Sequence, residues 1–481
     1  SPLEGEMSGR TEGGGPGLST AAITLLLLTL PTAARAHGTE GGLVLLLPTG
    51  YYLLGAGLAV AASFLLLAFV TPQETERVAA MRLRLFTVPD VQPPVTSAIG
   101  FFFLAFLVFA GVVGSRDPVV NPLPTMIWTV WWVCFTLFQA VVGPLWQHFN
   151  PWTAVLALFG RNGRDGLLKL PVRAGYRIAV LQFAAFAWFE LIYIAPSDPL
   201  RLAIAVIVFW LFNLAGAFIF GEKDWMARAE PFSIFFGLIG RLSPFHREPT
   251  GERRTEVGFT WPGTSLIGAT ALPLTGVFFI LLTLSAVSFD GLSRTFLWLG
   301  SIHVNPLEFP GRSDVETSGT LGLIGMFAAM STLYLGTVAL GCRLAGRGDT
   351  WLAAAGRLIY SLVPIALAFQ AAHYFTSVLV DGQNALIALS DPYALGWNLF
   401  GTASWHATTS FLNTMSGVSL IFNTQTLVIA LGHITGIVMA HLIALRIFET
   451  PRQAVISQIP LAALMVFYTA FGLWLLATPR I

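Results

Sequence analysis

Glu190, His373, His433 and His441 stand inside long apolar runs of the chain. An ionisable side chain at membrane depth is costly and marks a site unless a partner satisfies it. An imidazole there takes up and releases a proton near neutral pH, or ligates Cu, Zn, Fe or haem iron. Gln370 lies three residues before His373 and shares its helix face, where it offers a solute a hydrogen bond. Gln139, Gln182 and Asn213 are uncharged companions in neighbouring runs. His433 and His441 are eight residues apart, about 80° round a helix, so both can point inward at different depths.

Two chemistries suit this set. The first is a substrate or proton relay through Glu190, Gln370, His373, His433 and His441. The second is a metal or haem site on His373 and His433, with His37, His303 or His406 from the outer side as further ligands. Copper or haem b would suit such ligands, and nothing in the sequence requires either. The plain alternative is that these side chains hydrogen-bond across helix interfaces. No HExxH, HxH or facial-triad spacing raises the metal reading above it.

The composition explains why so few residues are in question. The 481 residues are 55% hydrophobic and only 11% charged, less than half the charged fraction of a soluble domain. A soluble enzyme, a disordered chain and a nucleic-acid binder are thereby excluded. Runs long enough to cross a bilayer fall at 49–70, 97–114, 126–147, 175–195, 201–221, 265–288, 318–342, 358–380, 426–446 and 456–477. The expected fold is a single all-α polytopic bundle of ten spans over 37–481. Residues 1–36 read as a polar leader, with Met7 as an alternative start, and a signal peptide cleaved after Ala36. His37 would then begin the mature chain, its amine and imidazole suited to copper.

Charge tests this arrangement independently of hydropathy. With both termini outside, nineteen Lys and Arg residues fall in inside loops and five outside, a strong positive-inside bias. The location this implies is a bacterial-type inner membrane with periplasmic termini. Asp290, Asp381, Asp391 and Arg294 count among the outer-loop charges. Cys134 and Cys342 sit in apolar stretches without CxxC spacing and read as small hydrophobes.

A pattern recurs after several spans: a polar residue, Pro, often an aromatic, then Gly. It occurs at Asn150-Pro151-Trp152, Glu230-Pro231-Phe232 and Asp391-Pro392-Tyr393, with a shorter cousin at Asn305-Pro306. Each predicts a short capped interfacial or re-entrant helix, and their alternation suggests an internal inverted repeat. Pro273 and Pro364 are expected to kink their spans. Gly55, Gly57, Gly336 and Gly341 read as close-packing positions.

No Walker loop, dinucleotide fingerprint, CxxCH or GxSxG motif is present. No enzyme is indicated. The expectation is a transporter or permease for a small solute or ion, with its polar site in spans 4, 8 and 9. The alternatives are a metal- or haem-holding protein of periplasmic redox or metal handling, and a non-catalytic subunit that binds partners in a membrane complex.

Overall fold

The computed structural model describes residues 46–70, 81–89, 93–250, 254–305 and 311–478, with Val44, Gln73 and Arg77 besides. The leader, the cleavage point at Ala36, His37 and the Pro306 segment lie outside the described residues.

The chain is a helical membrane protein. Among the described residues nine helices are long and apolar enough to cross a bilayer. They are α1 (Thr49–Leu67), α2 (Pro93–Val113), α3 (Pro122–Val142), α6 (Pro199–Phe220), α8 (Leu274–Ser293), α9 (Glu316–Leu344), α10 (Gly348–His373), α12 (Met415–Ala444) and α13 (Pro451–Ala477). Between them lie the shorter helices α4 (Thr153–Leu158), α5 (Arg177–Leu191), α7 (Pro231–Gly240) and α11 (Phe375–Ser390). The fourth expected span is α5, which has only 15 residues.

Helices α8 and α10 are the most buried of the long helices. Their apolar stretches are each 78% buried, against 17% for α1. Phe183 of α5 and Phe279 of α8 are fully buried, with ring centroids 5.6 Å apart. Edge-on and offset aromatic contacts of this kind add to simple area burial. They extend through Phe232 and Phe236 of α7 and Trp132 of α3.

Two boundaries differ from the expected ones, and both matter for the site. Pro273 precedes α8 as its N-terminal flank and introduces no kink, because proline is tolerated before the first turn. The helix therefore starts later and runs on to Ser293. Helix α10 begins at Gly348, with a 3₁₀ stretch at Ile359–Leu362 just before Pro364, and ends at His373. A proline lacks the N–H that an α-helix interior needs, so the tighter turn precedes it.

The short helices are formed in two of the expected places. Asn150 accepts from the backbone N–H of Trp152 and Thr153, and α4 follows. Glu230 accepts from the N–H of Phe232 and Ser233 at the start of α7. At Asp391 the expectation fails. Its carboxylate accepts from Leu395 and Gly396, four and five residues on, and holds a series of turns instead of a helix.

A small sheet was not expected. Strand β1 (Arg82–Pro89) pairs antiparallel with β3 (Arg254–Thr260), which pairs with β2 (Phe245–Pro249), giving the order β1-β3-β2. Arg82 bonds Glu248, and Arg84 lies 3.0 Å from Glu256. The sheet ties the segment after α1 to the segment before α8.

Candidate functional site

The extension of α8 past the expected end at 288 carries Asp290 into the bundle, where it is only 2% exposed. Arg294, one turn further, reaches back to Asp290 Oδ1 at 3.0 Å. Its side chain is itself half exposed, so the pair joins a buried carboxylate to the rim of the bundle.

Helix α10 delivers the second component. It stops at His373, and Tyr374 breaks the chain before α11. His373 Nε2 lies 2.7 Å from Asp290 Oδ2, and the Tyr374 hydroxyl lies 3.0 Å from that same oxygen. The two rings meet edge to face with centroids 4.7 Å apart.

Helix α5 supplies the third. Glu190 Oε1 lies 3.1 Å from the Tyr374 hydroxyl. Arg312, just before α9, donates to the carbonyls of Glu190 and Tyr193 at 2.8 and 3.1 Å. A cation on the last carbonyls of a helix is a favourable terminus. Glu190, Tyr374, Asp290 and His373 thus form one hydrogen-bonded chain across three elements, with Arg294 and Arg312 at its edge.

Proton counting shows what this chain is able to do. A tyrosine hydroxyl has one proton to give and two lone pairs. Placed between two carboxyl groups, it can donate to one of them. The other contact is a hydrogen bond only when that carboxyl carries a proton of its own. With one proton shared between Glu190 and Asp290, both contacts would be hydrogen bonds, Tyr374 donating to one carboxyl and accepting from the other. His373 extends the chain from Asp290.

The remaining expected residues lie elsewhere. Gln370 is buried and donates to the carbonyl of Trp132 at 3.2 Å, so it and His373 serve different neighbours. That carbonyl lies in a π-helical stretch of α3, Met126–Phe135. His433 is fully buried, with Nδ1 2.8 Å from the Ile429 carbonyl of its own helix and Nε2 without a partner among the described residues. Its ring packs on Phe369 and Tyr468, centroids 6.1 and 6.0 Å away. His441 Nδ1 meets Gln458 Nε2 of α13 at 3.3 Å. His303 sits in a turn with φ 61°, and His406 is exposed in a loop. Among the described residues no group of three or more His, Cys, Asp or Glu side chains could hold a metal ion.

Sequence reasoning missed Asp290, Arg294, Arg312 and Tyr374. The spacing of Asp290 and Arg294, an acid four residues before a base, is a helix-stabilising pair. No proline separates it from the apolar run, so the signal for a longer helix was present. Nothing in the sequence marks Tyr374 or Arg312. Comparison with family models, with curated proteins and with solved structures finds no match to this chain.

Proposed function

We infer that the chain is a membrane transporter for a small solute, coupled to protons through Glu190, Tyr374, Asp290 and His373. The observation that carries this reading is the single Tyr374 hydroxyl within hydrogen-bond distance of both carboxyl groups. Ionisable groups buried in a helical bundle characteristically mark ion or proton pathways. The expected site thus keeps Glu190 and His373 and moves from spans 4, 8 and 9 to α5, α8 and the α10–α11 break.

Ten crossings fit the fold better than nine. Strands β1 and β3 pair, so the segments around 82–89 and 254–260 share one side of the bilayer. An even number of crossings must separate them. Helices α2, α3 and α6 supply three, and α5 supplies the fourth despite its length of about 22 Å. Its neighbour agrees: the Tyr176 N–H at the start of α5 donates to Thr275 at the start of α8, while Glu190 and Asp290 meet Tyr374 at the other ends. By the positive-inside bias the sheet side is cytoplasmic and the carboxylate cluster faces out.

The test is proton movement. In proteoliposomes holding a pH-sensitive dye, one class of small solute in a screened panel should change the internal pH. That response should vanish in Glu190→Gln and Tyr374→Phe. Infrared spectra of the purified protein at neutral pH should contain a protonated carboxyl band that Glu190→Gln or Asp290→Asn removes. A spectrum without such a band sinks the proton-coupled reading.

A metal- or haem-holding role draws on one observation, the buried His433 Nε2 that has no partner among the described residues. The cavity that His373 lines with Phe369, Ala372 and Ile429 has a volume of ≈ 10 Å³. That is room for about one water, so a haem there would require the helices to part. An absorbance spectrum and elemental analysis of the purified protein decide it.

A further inference from the structure

The helices that build the carboxylate cluster carry a second set of residues fourteen positions earlier. Tyr176 precedes Glu190, Gly276 precedes Asp290 and Tyr360 precedes Tyr374 by that same interval. Fourteen helical residues rise about 21 Å and return to nearly the same face. The second set therefore sits at the sheet end of the bundle, with the Phe183–Phe279 contact between the two.

There a half-open cavity of ≈ 220 Å³ is lined by Tyr176, Gly237, Arg241, Gly276, Phe279 and Tyr360, among others. Arg241, immediately after α7, is the only charged residue lining it among the described residues. Its guanidinium donates to the Ser265 carbonyl and lies over the Tyr360 ring, 6.0 Å from the centroid. Tyr360 is held in turn by its hydroxyl, which donates to the Thr270 carbonyl at 3.0 Å. Among the described residues no carboxylate pairs with Arg241. Tyr176 also lines the cavity, and its hydroxyl makes no hydrogen bond among the described residues.

A partly buried guanidinium with spare donors, a fixed ring beneath it and a free phenolic O–H match an oxyanion. Arginine's planar fork suits the two oxygens of a carboxylate or phosphate. We propose that the cavity between α5, α7, α8 and α10 is an oxyanion-binding site, with Arg241 as the charge and Tyr176 as the second donor. The bound group is a phosphate or carboxylate, brought either by an anionic lipid headgroup or by a soluble anion. This site does not depend on the transport reading, because binding alone reports on it.

The experiment uses the full chain and reads thermal unfolding by tryptophan fluorescence. Inorganic phosphate and acetate are titrated in detergent against chloride at matched ionic strength. In parallel, the protein is placed in phosphatidylcholine nanodiscs with and without phosphatidylglycerol. The wild-type midpoint should rise with at least one anion source. In Arg241→Gln the half-saturating concentration should increase by about tenfold or more, with Arg241→Lys between the two. Gly237→Leu keeps every charge but fills the cavity, since a Cβ built at Gly237 meets nothing within 4 Å. It should abolish the response and carries the test if Arg241→Gln does not fold. A response to phosphate or acetate identifies a soluble anion, and one to phosphatidylglycerol alone identifies a headgroup. A midpoint indifferent to all of them, or a response that both Arg241→Gln and Gly237→Leu retain, overturns the site.

Discussion

His373 Nε2 lies 2.7 Å from Asp290 Oδ2, joining the last residue of α10 to the last turn of α8. Asp290 is almost wholly buried, and both of its oxygens are engaged, Oδ1 by Arg294 and Oδ2 by His373 and Tyr374. The carboxylate is thus the hub on which the ends of α8 and α10 and the start of α11 converge.

Removing that hub should be costly. Asp290→Ala leaves the part-buried His373 and Tyr374 without their acceptor, at about 1–3 kcal/mol for each group left unsatisfied, while the half-exposed Arg294 can turn to solvent. Asp290→Asn keeps the shape and an acceptor oxygen and should cost clearly less. Thermal unfolding of the two variants in detergent checks the order, and equal losses would mean that the charge contributes little.

Tyr374→Phe deletes the hydroxyl between Glu190 and Asp290 and should cost about 1–3 kcal/mol through unsatisfied buried oxygens. Glu190→Gln should cost less, because the amide can still donate to or accept from Tyr374. If Glu190→Gln proves the more damaging in unfolding measurements, the bridge through Tyr374 is not what stabilises this end.

Two glycines of α9 should behave oppositely. A Cβ at Gly341 would fall 1.9 Å from the Ser457 carbonyl of α13, whereas one at Gly336 meets nothing within 4 Å. Gly341→Ala forces the helices apart, at about 1–3 kcal/mol. Gly336→Ala should be neutral or stabilising by up to about 1 kcal/mol. Midpoints of the two single variants in one detergent give the comparison.

Asp198 gives a pH dependence outside the spans. It caps α6 through the Arg201 N–H at 2.9 Å and bonds Arg116. Desolvation raises its pKa, but the Arg201 N–H and the Arg116 hydrogen bond and charge outweigh that and hold it below the ordinary carboxylate value. Because the folded value is the lower one, the stabilisation is complete above the unfolded value. It is lost as the pH falls through the folded one. Asp198→Ala should cost about 1 kcal/mol at neutral pH, and the gap to wild type should close in acid. A gap independent of pH would assign the whole effect to packing.

The sequence by itself determined that the chain is a helical membrane protein, because sparse charge and long apolar runs leave no other way to satisfy the backbone in lipid. It also marked Glu190 and His373, since an ionisable residue in such a run is conspicuous wherever the helix points. Tertiary structure decided what they meet. Asp290 and Arg294 look like loop charges until α8 runs past residue 288, and a helix end depends on packing more than on local propensity. Gln370 and His373 share a helix yet reach α3 and α8 respectively, which no spacing along one chain reveals. His433 and His441, equally conspicuous in sequence, were drawn to a backbone carbonyl and to Gln458. The β1–β3 pairing was likewise invisible, because its partners lie more than 160 residues apart and only the assembled bundle brings them to one side.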